Sequence, residues 1–168
     1  MHIVCETESL VIRKFELTDT DFIISLLNEE SFIRYIADKN VRTHDDAIRY
    51  LTQGPIACYN THGFGLNMVI LKSTNTPIGM CGLLKRDELD LPDLGYAFLN
   101  QYCGKGYAFE AAEAVISDEM KRYELTKIQA VTYPDNIASN KLLEKLGFEL
   151  LGEMELYGSV NNLYQFQC

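Results

Sequence analysis

The chain has 168 residues, 47% of them hydrophobic, with a formal net charge of −9 at pH 7. That length and apolar share suit one domain spanning residues 1–168 with a sizeable core, while a pI near 4.8 repels phosphate backbones and argues against nucleic acid as a partner. No run reaches the roughly 18 uninterrupted apolar residues of a membrane span, and the opening "MHIVCETESL" lacks the layout of a secretory signal, so a cytoplasmic protein without membrane contact is expected.

Cys5, Cys58, Cys81, Cys103 and Cys168 are odd in number, scattered, and form no C-x-x-C pair. They read as reduced thiols rather than as a disulfide framework or a zinc site, and no metal is expected. The negative charge is uneven. Residues 93–148 carry six Lys/Arg against eight Asp/Glu, leaving nine against sixteen elsewhere, so the remainder of the surface favours cations.

In chain order, "LVIRKF" (10–15) alternates and is rich in β-branched residues, which predicts a strand; "TDTDFIISLLN" follows with apolar residues at helical spacing. Thr43 with Asp46 makes a capping box for a helix through Ala47, Ile48 and Leu51 that is expected to stop at Gly54-Pro55. "GLNMVILK" (65–72) and "PIGMCGLLK" (77–85), joined by "STNTP", predict an antiparallel hairpin, and "LGYAFL" (94–99) a third strand. Residues 107–123 put Ala108, Ala111, Ala112, Val115, Ile116, Met120 and Tyr123 on one helical face. "KIQAVTY" (127–133) is a strand. "NIASNKLLEKLGF" is a helix capped by Asn136 and stopped by Gly147, and "FELLGEM" and "NLYQFQ" close the chain as strands. The order is α+β, a mixed and mostly antiparallel central sheet flanked by helices.

The stretch "QYCGKGYAFEA" (101–111) carries two glycines between a strand and a helix. The first N–H groups of that helix lack intrahelical partners and carry partial positive charge, so the corner suits a phosphate. Gly104 and Gly106 permit close backbone approach, and Lys105 adds charge at the rim. A dinucleotide-binding loop wants a small residue where this chain has Phe109, and a Walker A loop wants Ser/Thr after Gly-Lys, where Lys105 is followed by Gly106 and Tyr107.

Gln101-x-x-Gly104-x-Gly106 with Tyr107-Ala108-x-Glu110-Ala111, followed by Asn136-x-x-Ser139 running into Glu144-Lys145-x-Gly147-Phe148, resembles the GNAT superfamily of acetyl-CoA-dependent N-acetyltransferases. Within it, "TESLVIRKFELTD" and "LGYAFLNQYCGKGYAFEA" are similar to the branch of Rim-type ribosomal-protein N-terminal acetyltransferases. The resemblance spans nearly the whole chain. It implies that the backbone of Ala97, Phe98 and Leu99 pairs with the pantetheine arm of CoA as an added strand would. It implies further that the corner from Gln101 to Ala108, including Gly104, Lys105, Gly106 and Tyr107, holds the pyrophosphate, and that Asn136 and Ser139 reach the pantetheine. Asn136 is equally a plain helix cap.

Acetyl transfer requires a neutral amine, a polarised thioester carbonyl and a proton for the departing thiolate. The resemblance supplies a strand N–H near Phe98 or Leu99 for the oxyanion. Many relatives carry a tyrosine acid where this chain has Leu143, leaving Ser139 and Tyr133 as the nearest donors. Asp93 is the best-placed carboxylate for a base, with Glu88 and Asp90 acting through water as the alternative. His2, His44 and His62 have no Ser or Cys partner in sequence, so direct transfer in a ternary complex is expected rather than an acyl-enzyme. The implied acceptor is a protein N-terminus or a small cationic amine, and a homodimer is compatible with this reading. The alternative is a CoA-binding regulatory or interaction module in which Leu143 marks weakened or lost catalysis.

Overall fold

The computed structural model describes residues 1–168. The N-terminal hairpin pairs β1 (Ile3–Glu6) with β2 (Leu10–Lys14). Helices α1 (Thr20–Leu27), α2 (Glu30–Tyr35) and α3 (His44–Leu51) follow. At the start of α3 the Thr43 side chain accepts from the Asp46 amide at 3.1 Å, and the Asp46 carboxylate accepts from the Thr43 amide at 3.1 Å, which is the reciprocal cap expected from the sequence.

The predicted stop at Gly54-Pro55 is not observed. The chain continues through a π-helical turn, Thr52–Ile56, into α4 (Ala57–His62), and ends at Gly63 with φ of +86°. Proline lacks an N–H and crowds the carbonyl four residues back; the wider turn accommodates it without ending the helix.

Then come β3 (Leu66–Leu71), β4 (Thr76–Leu84) and β5 (Asp93–Phe98), a meander as the sequence predicts. A 3₁₀ turn over Asn100–Tyr102 leads through the glycine corner into α5 (Tyr107–Arg122). β6 (Lys127–Thr132), α6 (Ile137–Leu146), β7 (Glu149–Leu156) and β8 (Ser159–Gln167) complete the chain. The strands form one eight-stranded sheet in the order β1-β2-β3-β4-β5-β6-β8-β7, antiparallel everywhere except between β5 and β6.

Helices cover both faces. On one, α5 supplies Ala111, Ala112, Val115 and Ile116 and α6 supplies Leu143 to a cluster with Ile12, Ile78, Leu83 and Ile128. On the other, Ile23, Leu26, Leu27, Phe32, Ala47 and Leu51 of α1 to α3 pack on Met68, Ile70 and Met80. The sheet is thus buried on both sides, which is why β3 carries apolar residues at nearly every position. Each fully buried aliphatic side chain contributes about 1.5–3 kcal/mol, so the sheet and its two helical layers hold one another in place. No helix is long and apolar enough to cross a membrane.

Candidate active site

β5 and β6 are held together at one bridge, Asp93 with Gln129, where the Gln129 amide donates to the Pro92 carbonyl at 2.9 Å. Beyond it the strands diverge, leaving a wedge inside the sheet. On its other edge β5 pairs with β4 along its whole length, Asp93 to Phe98 against Leu84 to Gly79. The Leu99 amide extends that ladder, donating to the Ile78 carbonyl at 2.9 Å. Antiparallel backbone groups alternate in direction, so Leu99 and Ala97 turn theirs toward β4. Tyr96 and Phe98 turn theirs into the wedge, where no strand pairs with them.

The resemblance implied contacts from Ala97, Phe98 and Leu99; of these, Phe98 alone turns its amide into the wedge. The Ala97 and Leu99 amides are directed at β4, and the second amide facing the wedge belongs to Tyr96, which the sequence alone did not single out. The register of β4 on β5 decides the matter, and a single strand does not reveal it.

At the open end of the wedge lies the glycine corner. Gly104 and Gly106 have φ of +75° and +87°, and a Cβ at either would meet no atom within 4 Å. The glycines are therefore required by backbone conformation and not by crowding from the protein. Gly106 occupies the N-cap position of α5 with no side-chain cap, leaving the first amides of the helix without intrahelical acceptors. Gln101, Gly104 and Lys105 are exposed, and Tyr107 and Ala108 are half-buried. The Lys105 ammonium stands 6.0 Å from the centre of the Tyr102 ring. Glu110, one turn into α5, accepts from the Thr7 hydroxyl and from the Ser9 amide at 3.0 Å, which ties the helix start to the first hairpin. Cys103 directs its thiol toward the Phe98 and Leu99 carbonyls, and burial pushes its pKa up, away from the thiolate a nucleophile needs.

The facing wall is the first turn of α6. Asn136 caps it, its Oδ1 accepting from the Ser139 amide at 3.3 Å. Ser139 Oγ lies 2.5 Å from the Tyr96 hydroxyl, so a side chain from β5 meets one from α6 across the wedge. One residue on, Asn140 donates to the Pro134 carbonyl at 3.1 Å and its Oδ1 accepts from the Tyr164 hydroxyl at 3.1 Å. Leu143 is fully buried, an apolar side chain with no proton to give. Tyr133, at the end of β6, turns its hydroxyl to the Ile36 carbonyl at 3.5 Å and is not brought to Ser139.

At the closed end, Asp93 begins β5 as expected, but its carboxylate is not open to an acceptor. It is 1% exposed, and its two oxygens accept from Arg86 Nε at 3.1 Å and Nη2 at 2.7 Å. Burial pushes its pKa up while Arg86 pulls the other way. The ion pair satisfies the cost of burying the charge and at the same time occupies the oxygens a base would use. Glu88 and Asp90 are exposed, and Glu88 accepts from the Tyr157 hydroxyl at 3.2 Å. Arg86 stands 5.9 Å from the centre of the Tyr157 ring, so the β7–β8 turn and the β4–β5 loop meet over this end.

The chain that builds this wedge, glycine corner and capped helix matches a known protein family in sequence and in fold. The family profile described as "Acetyltransferase (GNAT) domain" matches residues 9–149. YnaD of Bacillus subtilis, described as an uncharacterized N-acetyltransferase, is 30% identical over 152 residues, covering 90% of this chain and 85% of its own. A GNAT-family acetyltransferase from Bacillus anthracis superposes with a TM-score of 0.80 at 26% identity, covering 99% of this chain and 98% of its own. RimL, a ribosomal L7/L12 α-N-protein acetyltransferase solved with coenzyme A, shares the fold with a TM-score of 0.82 at 16% identity, covering 99% and 98%. The chain belongs to the GNAT family of acetyltransferases, enzymes that draw the acetyl group from acetyl-CoA.

Proposed function

We propose that this protein acts as a single catalytic domain over residues 1–168, in the cytoplasm, and transfers acetyl from acetyl-CoA to a primary amine by direct attack in a ternary complex. The acceptor is a protein N-terminus or a small cationic amine, in keeping with the resemblance to the Rim-type branch and with the acidic surface outside residues 93–148. The observation that carries the reading is the lone bridge between β5 and β6, which leaves a strand edge unpaired in the middle of a sheet. An amide-bearing arm fits such an edge by β-augmentation.

Acetyl-CoA supplies an activated acyl group on a thiol that leaves readily. Phe98 and Tyr96 offer backbone hydrogen bonds to the pantetheine arm, and the deeper N–H, that of Tyr96, is the donor for the developing oxyanion. The corner, Gln101, Gly104, Lys105, Gly106, Tyr107 and Ala108, receives the pyrophosphate. Both of its glycines present open backbone, and the free amides of α5 add positive potential. Asn136 orders the first turn of α6, and Ser139 faces the departing sulfur. Tyr133 stands as the outer alternative. With Asp93 committed to Arg86, the amine proton passes to water held by Glu88 and Asp90, the exposed carboxylates of the adjoining loop.

A panel of amines and N-terminal peptides incubated with acetyl-CoA, with release of free thiol as the readout, tests the reading. Turnover with one acceptor class is the expected outcome. Tight CoA binding without turnover on any acceptor would instead favour the regulatory module that Leu143 suggests.

A further inference from the structure

Leu143 leaves α6 without the phenol that many relatives carry there, yet a phenol does reach the same helix from the opposite wall. Tyr96 sits on β5 between Leu94 and Phe98, so its side chain rises on the face covered by α5 and α6. Its hydroxyl ends 2.5 Å from Ser139 Oγ, with the Ser139 carbonyl 3.5 Å away as a second acceptor. Ser139 is held by the Asn136 cap on its amide. The two hydroxyls therefore meet between fixed supports, one on a strand and one on a capped helix turn.

We infer that Tyr96 and Ser139 form a hydroxyl pair that stabilises the departing thiolate of CoA, with Tyr96 as the positioning residue that sets the direction of the Ser139 proton. This rests on the acetyl-CoA reading of the wedge. A lone serine hydroxyl rotates freely and divides its proton among several acceptors. When the phenol donates to Oγ, the serine proton is directed elsewhere, and the backbone groups of Tyr96 and Phe98 border the side where a thioester would lie. As the C–S bond breaks and the C–N bond forms, charge collects on sulfur, and the directed O–H donates to it. Burial raises the phenol pKa well above that of an ordinary tyrosine, so the pair keeps both protons across the working range. The Ser139 hydroxyl serves as the hydrogen-bond donor to the thiolate, which then takes its proton from water, while the proton lost by the amine leaves through the Glu88 side.

Tyr96→Phe and Ser139→Ala test this in the full-length protein. The probes are acetyl-CoA for turnover, and CoA and desulfo-CoA for binding. A hydrogen bond to a charged group corresponds to roughly a tenfold to a hundredfold effect, so kcat falls by that factor in either variant while KM for acetyl-CoA holds. In Tyr96→Phe the bound CoA thiol, followed by thiolate ultraviolet absorbance, titrates about one to two units higher than in the wild type. Desulfo-CoA binds all three proteins equally. Because Tyr96 is packed against the core, Ser139→Ala, which removes only one hydroxyl, provides a second route to the same shift if the phenylalanine variant folds poorly. The double variant is no slower than the worse single one, since the two hydroxyls act as a unit. A bound thiol that titrates identically in wild type and variants overturns the inference while leaving the cofactor reading intact. A wild-type protein that binds neither CoA nor desulfo-CoA overturns both.

Discussion

Asp93 and Arg86 are joined by two charge-assisted hydrogen bonds, 2.7 Å and 3.1 Å, at the point where β5 starts to part from β6. The pair fixes the vertex of the wedge and ties it to the loop that bears Glu88. Asp93→Asn removes the charge but keeps the shape, leaving the guanidinium without its counterion. Loss of one partner of a fully buried pair costs about 3–5 kcal/mol; Arg86 retains 22% side-chain exposure, so about 2 kcal/mol is expected here, read as a lower midpoint of chemical unfolding. Turnover should fall by one factor at every pH, giving a profile parallel to that of the wild type. A loss confined to neutral pH that recovers in alkali, where the amine is already free, would restore Asp93 to the role of base.

Gly106 separates backbone strain from anion binding. At φ of +87° a side chain of any kind costs about 1–2 kcal/mol, with asparagine and aspartate the best tolerated. Gly106→Asn and Gly106→Asp should thus lose similar, modest stability, and differ in CoA affinity because only aspartate sets a negative charge beside the pyrophosphate. Two charges about 4 Å apart near a protein surface repel by about 1–4 kcal/mol, so aspartate should bind CoA at least about fivefold more weakly than asparagine. The gap should narrow as salt rises. Calorimetric titrations of both variants at two salt concentrations check this, and equal affinities would remove the corner as the pyrophosphate site.

The corner and the Asn136 cap were legible in the sequence because each depends on local chemistry: glycine where φ is positive, and a short polar side chain before a helix. The strands and helices from residue 65 onward followed from periodicity for the same reason. Strand β1 escaped, since "IVCE" is four residues long and its pairing with β2 is irregular between Ile3 and Cys5. So did α2, a six-residue helix with one fully buried side chain, Phe32. The wedge itself was not readable, because a single bridge between strands separated by all of α5 is a nonlocal fact. Tyr96 was missed for a related reason. Which alternate residues of β5 have free backbone depends on register with β4, and the Tyr96–Ser139 contact spans 43 positions in sequence.

The side chain of Asn136 caps α6, and the family resemblance implies a second, separable duty, contact with the pantetheine. Asn136→Ser keeps a capping oxygen but shortens the reach, so stability without ligand should change by a few tenths of a kcal/mol, while the rise in Tm produced by saturating CoA shrinks. Asn136→Ala should lose about 1 kcal/mol even without ligand. Thermal melts of the three proteins with and without CoA distinguish the duties; identical CoA-induced shifts in wild type and Asn136→Ser would leave only the cap.

Glu119 stands on the apolar face of α5, among the residues that the helical periodicity predicted as core, and is 2% exposed. Burial pushes its carboxyl up to about 7, with Asp118 adding to the rise and Arg122, Lys14 and Asn67 opposing it. Glu119 Oε2 and Asn67 Oδ1 are both buried without a hydrogen-bond partner, and Asn67 Nδ2 is already committed to the Cys81 carbonyl at 3.2 Å. A proton on Glu119 would relieve an unpaired acceptor and remove a buried charge together. Because the folded pKa lies above the ordinary value of 4.5, the folded protein holds a proton that the unfolded chain has released between those two pH values. Stability should therefore fall as pH rises from about 4.5 to about 7 and level off above. The full shift corresponds to at most about 3 kcal/mol. Glu119→Gln keeps the shape, carries no charge and offers an N–H to Asn67, so it should be the more stable protein at pH 8 and lose that advantage near pH 4.5. Urea unfolding of both proteins across this range measures the difference directly, and a difference that does not vary with pH would show that Glu119 remains ionised throughout.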